Sequence, residues 1–280
     1  MATQLLFYRR VTPVSVQRHA DWCVEGTGDH TFACKVNAVP LMTVEFFQAA
    51  REYPIVFVRS DETLMPVALL GVEGGSNAYV TETGGWDARY VPAFVRRYPF
   101  VFSRSEDGTR FTLCIDESWS GCNEDNRGQR LFTDQGERTP YLDNILSFLQ
   151  EYNVQFARTE TFCRKLAELE LLEPMQAQFT LAGDVQRSLT GFLAINRDKL
   201  KALPADQFIA LAQTDDLELA YMHLQSLNNF ILVAERAAAR RAGATPEDVQ
   251  SPDKPLPDIA AADTSGQDST VGDRAALGVS

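Results

Sequence analysis

The chain has 280 residues, a formal net charge of −12 and 45% hydrophobic residues. That is enough apolar material to build a core in one large domain or two modest ones. The acidic balance excludes binding of nucleic acid or of an anionic membrane by bulk charge, while a local basic patch can still hold an anion.

Residues 1–10 show no basic stretch followed by an apolar core, so they do not read as a secretory signal. No apolar run approaches the roughly 20 residues that a membrane helix needs. The expectation is a soluble cytoplasmic protein with no membrane insertion. Trp22, Val24, Phe32, Ala33 and Val36 read as strand residues facing a core. A helix is predicted at about 43–52, capped by Thr43 and ended before Pro54. Extended runs follow at 55–58, 67–72, 78–80, 100–102 and 110–115. Gly74-Gly75, Gly84-Gly85 and Asp107-Gly108 separate them as hairpin-type turns.

Near residue 138 the period changes. Thr139-Pro140 is a cap and first-turn pair, after which Leu142, Ile145, Leu146, Leu149, Tyr152 and Phe156 share one helical face. The stripe resumes with Phe162, Leu166 and Leu169, and Pro174 is expected to end it. Two strands are predicted at 178–181 and 189–195. Leu203-Pro204 introduces a short helix, and a long one runs from about Asp215 to Arg240. Strands precede helices, so the fold class is α+β, a strand-rich N-terminal half packed against a helical C-terminal half. The expected organisation is a single domain over 1–242, with 1–138 strand-rich and 139–242 mainly helical. Residues 243–280 form a disordered acidic tail in this reading. From Pro246 onward the tail has no aromatic residue, and acidic residues outnumber the basic Lys254 and Arg274.

The short motifs of P-loop NTPases, dinucleotide enzymes, zincins and α/β-hydrolases are absent. Five cysteines include no Cys-x-x-Cys pair, and an odd count fits a reducing compartment. His19, Cys23, His30 and Cys34 form two His-x-x-x-Cys pairs that could supply four zinc ligands. They lack the Gly or Pro turns of a zinc knuckle, and core packing is the preferred reading, with no metal expected. Cys122 sits on a turn but has no histidine near it in sequence to act as a base. His223 lies on the long helix with Leu219, Ser226 and Phe230 on its face, which reads as a buried histidine satisfied by hydrogen bonds. The adjacent acids Asp116-Glu117 point to opposite faces of a strand and make a poor acid–base couple.

Residues 86–100 carry three arginines and several aromatics around Pro92 and Pro99. Pro92 suits a first helical turn, and Pro99 pushes Tyr98 to extended geometry and stops the helix. Arg89, Arg96 and Arg97 have guanidinium forks suited to carboxylate or phosphate, and Trp86, Tyr90 and Tyr98 offer stacking surfaces. The competing view is that Tyr90, Phe94 and Tyr98, four apart, form one packed helix face, with the arginines tied to the chain's own acids. Adjacent helical residues lie about 100° apart, so Arg96 and Arg97 must diverge. One is expected to meet Asp116 or Glu117, the other to stay open.

This segment resembles the signature of the SapC family of bacterial S-layer-associated proteins. Val39-Pro40-Leu41, Glu45-Phe46 and residues 53–57 are similar to that family's N-terminal block. Cys114-Ile115-Asp116-Glu117, Leu131-Phe132 and Gly136 resemble its middle block, and residues 217–227 its C-terminal helix. The resemblance implies a non-enzymatic binding or accessory protein supporting surface-layer, nutrient-uptake or peptide-handling systems. Its partner would be a protein, a peptide or an anionic small molecule, with no cofactor and no nucleic acid. The candidate ligand-binding residues are Trp86, Arg89, Tyr90, Arg96, Arg97, Tyr98, Asp116 and His223. The alternative is a small-molecule or peptide-directed enzyme with its pocket near residues 86–117.

Overall fold

A computed structural model of the chain describes residues 6–26, 28–60, 63–104, 110–181 and 185–241. The acidic tail and the Asp107-Gly108 turn lie outside them. The elements run β1 (Val11–Pro13), α1 (Val16–His19), β2 (Cys23–Val24), β3 (Ala38–Pro40), α2 (Phe46–Ala49), β4 (Ile55–Ser60), β5 (Thr63–Leu69), α3 (Ala93–Arg96), β6 (Phe100–Arg104) and β7 (Phe111–Asp116). There follow β8 (Cys122–Asn123), β9 (Gln129–Arg130), α4 (Pro140–Glu168), β10 (Leu172–Leu181), β11 (Val185–Ile195), α5 (Arg197–Lys201), α6 (Ala205–Gln213), α7 (Asp216–Ser226) and α8 (Phe230–Arg241). The fold is α+β, and the described residues form three antiparallel sheets ordered β1-β7-β6, β10-β11-β4-β5-β3 and β8-β2-β9.

The long helix α4 forms because Thr139 caps it, its hydroxyl accepting from the Leu142 N–H, and Pro140 occupies the first turn. Leu142, Leu149, Tyr152, Phe162 and Leu166 then line its buried face. Pro174 does not end it. Glu170 turns into the left-handed region at φ 51°, its N–H meeting the Ala167 carbonyl while the Leu171 N–H reaches back to Leu166. That double bond is a Schellman ending, with Glu170 where glycine is usual. Pro174 instead stands in β10 opposite Leu193. There the missing N–H is tolerated because β10 is an edge strand. On the partner strand, Thr190 and Gly191 stand against the lone Gln176, and Gly191 takes φ 86° to make the bulge.

Other expectations are corrected by packing. Thr43 does not cap a helix: residues Thr43–Glu45 form a 3-10 turn, and the Thr43 N–H and hydroxyl both face Thr159 of α4. Residues 78–80 make one isolated bridge, Val80 to Trp86, rather than a strand. Phe32 and Ala33 belong to a 3-10 turn, because the Asp29 side chain accepts the Thr31 N–H and folds the chain over. The long C-terminal helix is broken into α7 and α8 by a 3-10 turn over Leu227–Asn229. There Asn229 leaves the helix face to donate to the carbonyls of Ala50 and Tyr53.

The β10–β11 hairpin belongs to the second half in sequence, yet β11 pairs with β4 of the first half. A cut near residue 138 would therefore take β10 and β11 out of this sheet and α4 away from β5. Limited trypsin digestion is expected to leave no pair of separately stable fragments split near 138. Two such fragments, each melting cooperatively, would mean that the halves fold independently.

Candidate functional site

The stretch from Trp86 to Tyr98 is braced from below by two glutamates. Glu52 accepts the Arg89 N–H with both oxygens, at 2.9 and 3.0 Å. Glu45 is only 4% exposed and accepts from the Met42 N–H (2.8 Å), the Tyr90 hydroxyl (2.7 Å) and the Ala93 N–H (2.7 Å). Burial pushes the Glu45 carboxyl above its usual range, against the pull of its Ala93, Tyr90 and Met42 donors. Trp86 donates to the Tyr53 hydroxyl at 2.9 Å, and that hydroxyl in turn donates to the Tyr90 carbonyl. These anchors hold a helix, α3, that is only four residues long. Tyr90 and Tyr98 therefore do not share its face with Phe94. Tyr90 turns to Glu45, and Tyr98 stacks on Phe32 at 4.1 Å and meets Tyr8 edge-on at 5.1 Å.

Arg96 and Arg97 diverge as a helix requires. Arg97 is 8% exposed, its guanidinium 4.0 Å from the Phe94 ring centre and 5.0 Å from that of Tyr152. Burial pushes the Tyr8 hydroxyl up to about 12, with the charge and hydrogen bond of Arg97 opposing. Arg96 is exposed. Its Nε donates to the Val91 carbonyl at 3.0 Å, and its guanidinium lies 5.4 Å from the Phe148 ring centre and 5.7 Å from that of Tyr90. The Arg89 side chain is also exposed.

The expected ion pair with Asp116 or Glu117 is not formed, because closer donors occupy both acids. Asp116 is fully buried and accepts from the Arg9 N–H (2.6 Å), the Arg10 N–H (3.1 Å), and the Ser118 N–H and hydroxyl (3.0 and 2.6 Å). Tyr98 adds its hydroxyl at 3.4 Å. Burial alone would raise the Asp116 carboxyl, but the Ser118, Arg9 and Arg10 donors outweigh it and hold it below its usual value. Glu117 is gripped by the Arg18 guanidinium through Nε and, at 2.8 Å, through a terminal nitrogen, with Arg10 Nε at 3.2 Å. Arg18 holds the Glu117 carboxyl below the normal range.

His19 completes this cluster. Its Nε2 lies 3.2 Å from Glu117 and its Nδ1 3.2 Å from the Ser15 N–H, which suits the neutral tautomer protonated at Nε2. Burial pulls its pKa down despite Ser15 and Glu117. Cys23 lies buried in β2 opposite Asn123, and His30 packs on Trp86 and Phe32. All five cysteines are free thiols. Among the described residues no three His, Cys, Asp or Glu side chains stand close enough to hold a metal ion, so His19, Cys23, His30 and Cys34 are not gathered into a ligand set. The Cys122 thiol is pushed up to about 12 by burial and by the charges of Asp116 and Glu117, the opposite of what a nucleophile needs.

His223 stands apart from the 86–98 segment. It is buried on α7 against Phe57, and its Nε2 accepts the Ile195 N–H of β11 at 3.0 Å. Burial pulls it down to about 4, so it stays neutral and pins α7 to the sheet.

Glu45 and Glu52 were absent from the sequence candidates, although they position the arginine segment. The signal for Glu45 was present: a lone carboxylate inside the apolar run 41–47 must find donors if it is buried. Among the described residues no helix is long and apolar enough to cross a membrane. The SapC family model matches residues 14–232, well over half of the chain. No curated protein and no solved structure gives a match.

Proposed function

The chain belongs to the SapC family, and from that premise we propose that it is a cytoplasmic, non-enzymatic binding or accessory protein. In this reading it supports a surface-layer, nutrient-uptake or peptide-handling system, and it binds an acidic peptide or protein segment through Arg96, Arg89 and the flanking aromatics. One contrast carries the reading. Asp116, Glu117, Glu45 and His19 are all occupied by internal donors or acceptors, while the terminal nitrogens of Arg96 lie exposed beside Tyr90 and Phe148. A guanidinium beside aromatic faces suits a carboxylate on a peptide. Acid–base chemistry would need a titrating group free to move a proton to a substrate.

The test is a titration of the full chain with a short glutamate-rich peptide, followed by NMR at the arginine Nε–H groups and by calorimetry. Saturable shifts at Arg96 and Arg89 are expected. Arg96→Ala should abolish them while changing stability by no more than about 0.5 kcal/mol, as at other surface positions. Arg97→Ala should instead cost about 1–2 kcal/mol, because its guanidinium is desolvated over Phe94 and Tyr152. Absence of binding, or binding indifferent to Arg96, would discard this assignment of the segment.

A further inference from the structure

α2, α4 and α7 border a shallow groove of about 210 Å³ whose apolar lining is Val44, Phe47, Leu219 and Met222. Val44 and Phe47 are 57% and 53% exposed, an unusual state for two large apolar side chains on adjoining turns. The frame around them is cross-tied. Thr43 bonds Thr159 of α4, and Lys165 of α4 pairs with Asp216 at the start of α7. The groove is thus built before any partner arrives, which lowers the ordering cost of binding.

Its rim names the partner. Arg158 borders the groove from α4, and Val154 lies one turn before it, also exposed. Asp215 and Glu218 border the groove from the α7 side. None of Arg158, Asp215 and Glu218 has an ion-pair partner among the described residues, although Asp216 next to them does. Arg51 lies over the Phe47 ring at 4.6 Å. An acidic or a basic peptide would satisfy one flank and oppose the other. A surface with an apolar centre, cations on one side and anions on the other is complementary to itself under a two-fold rotation.

We propose that this groove is a two-fold interface with a second copy of the chain. Val44 and Phe47 meet across the axis, and Arg158 of each copy faces Asp215 and Glu218 of the other. The proposal is independent of the arginine segment.

Sedimentation velocity of the full chain over a wide concentration range tests it, with thermal melts confirming that each variant is folded. The parent chain is expected to show a monomer–dimer equilibrium. Arg158→Glu and Glu218→Arg, each alone, should weaken dimerisation about tenfold or more. The double variant, carrying both reversals in every copy, should recover it. Phe47→Asp should give monomer throughout. A parent chain monomeric at every concentration would overturn the proposal, and so would a dimer indifferent to all these changes. A double variant no better than the single reversals would overturn it too, since the charges would then not face each other across a two-fold axis.

Discussion

Asp116→Ala is expected to lower the unfolding free energy by about 3–5 kcal/mol, the largest loss of any single substitution outside the apolar core. The aspartate is fully buried and is the acceptor for the Arg9, Arg10 and Ser118 N–H groups. Each buried donor left without an acceptor costs about 1–3 kcal/mol, and water can reach only those nearest the surface. The effect reaches beyond β7. Arg9 and Arg10 lead into β1, whose Val11 pairs with Asp116 itself, so the N-terminal strand would loosen with the carboxylate. Asp116→Asn keeps one acceptor oxygen and should lose about half as much. Urea denaturation of both variants at pH 7 measures this. A loss below about 1 kcal/mol for the alanine variant would show that solvent replaces the carboxylate, and the anchoring role would have to be abandoned. The depressed pKa of Asp116 gives the same interaction a pH signature. Its contribution is present above the ordinary aspartate range and is lost as the pH falls through the lower folded value.

Acidification from pH 7 to pH 5 should remove about 2 kcal/mol of stability through His223 alone, rising to about 3 kcal/mol by pH 4. The sign follows from burial. The folded imidazole is held down to about 4, whereas the unfolded one titrates near its usual 6.5. Between those values the unfolded chain takes up a proton that the folded chain refuses, so stability falls as the pH falls. His19, also lowered by burial, acts in the same direction. Glu45, raised by burial, acts in the opposite one. The window from pH 6.5 to pH 5 isolates the histidines from Asp116 and Glu117, whose losses come at lower pH. Denaturant melts of the parent chain and of His223→Gln at pH 7 and pH 5 provide the measurement. Glutamine can still accept the Ile195 N–H but carries no titrating proton. The variant should therefore show a pH dependence reduced by about 2 kcal/mol, whatever its absolute stability. An unchanged dependence would mean that His223 does not titrate out of a buried neutral state.

Much of the fold could be read locally. The cap and first turn of α4 at Thr139-Pro140, its apolar stripe, the strands around 55–58, 100–102 and 110–115, and the short helix between Pro92 and Pro99 all follow from patterns within a few residues. Where the reading failed, a nonlocal partner had overridden the local signal. Thr43 looked like a cap but bonds Thr159, and Pro174 looked like a helix stop but fits an edge strand.

Family membership, the α+β order of strands before helices and the opposed directions of Arg96 and Arg97 needed only the order of residues along the chain. Periodicity, capping and the 100° step of a helix act over one or two turns, and such rules are written in adjacent letters. Which acid meets which cation was a matter for the packed molecule. Asp116 takes the N–H groups of Arg9 and Arg10, more than a hundred residues away in sequence, and Glu117 takes Arg18. A buried carboxylate accepts the donors that the fold brings nearest, and that proximity is created by the pairing of β1 with β7. No spacing within residues 86–117 encodes it.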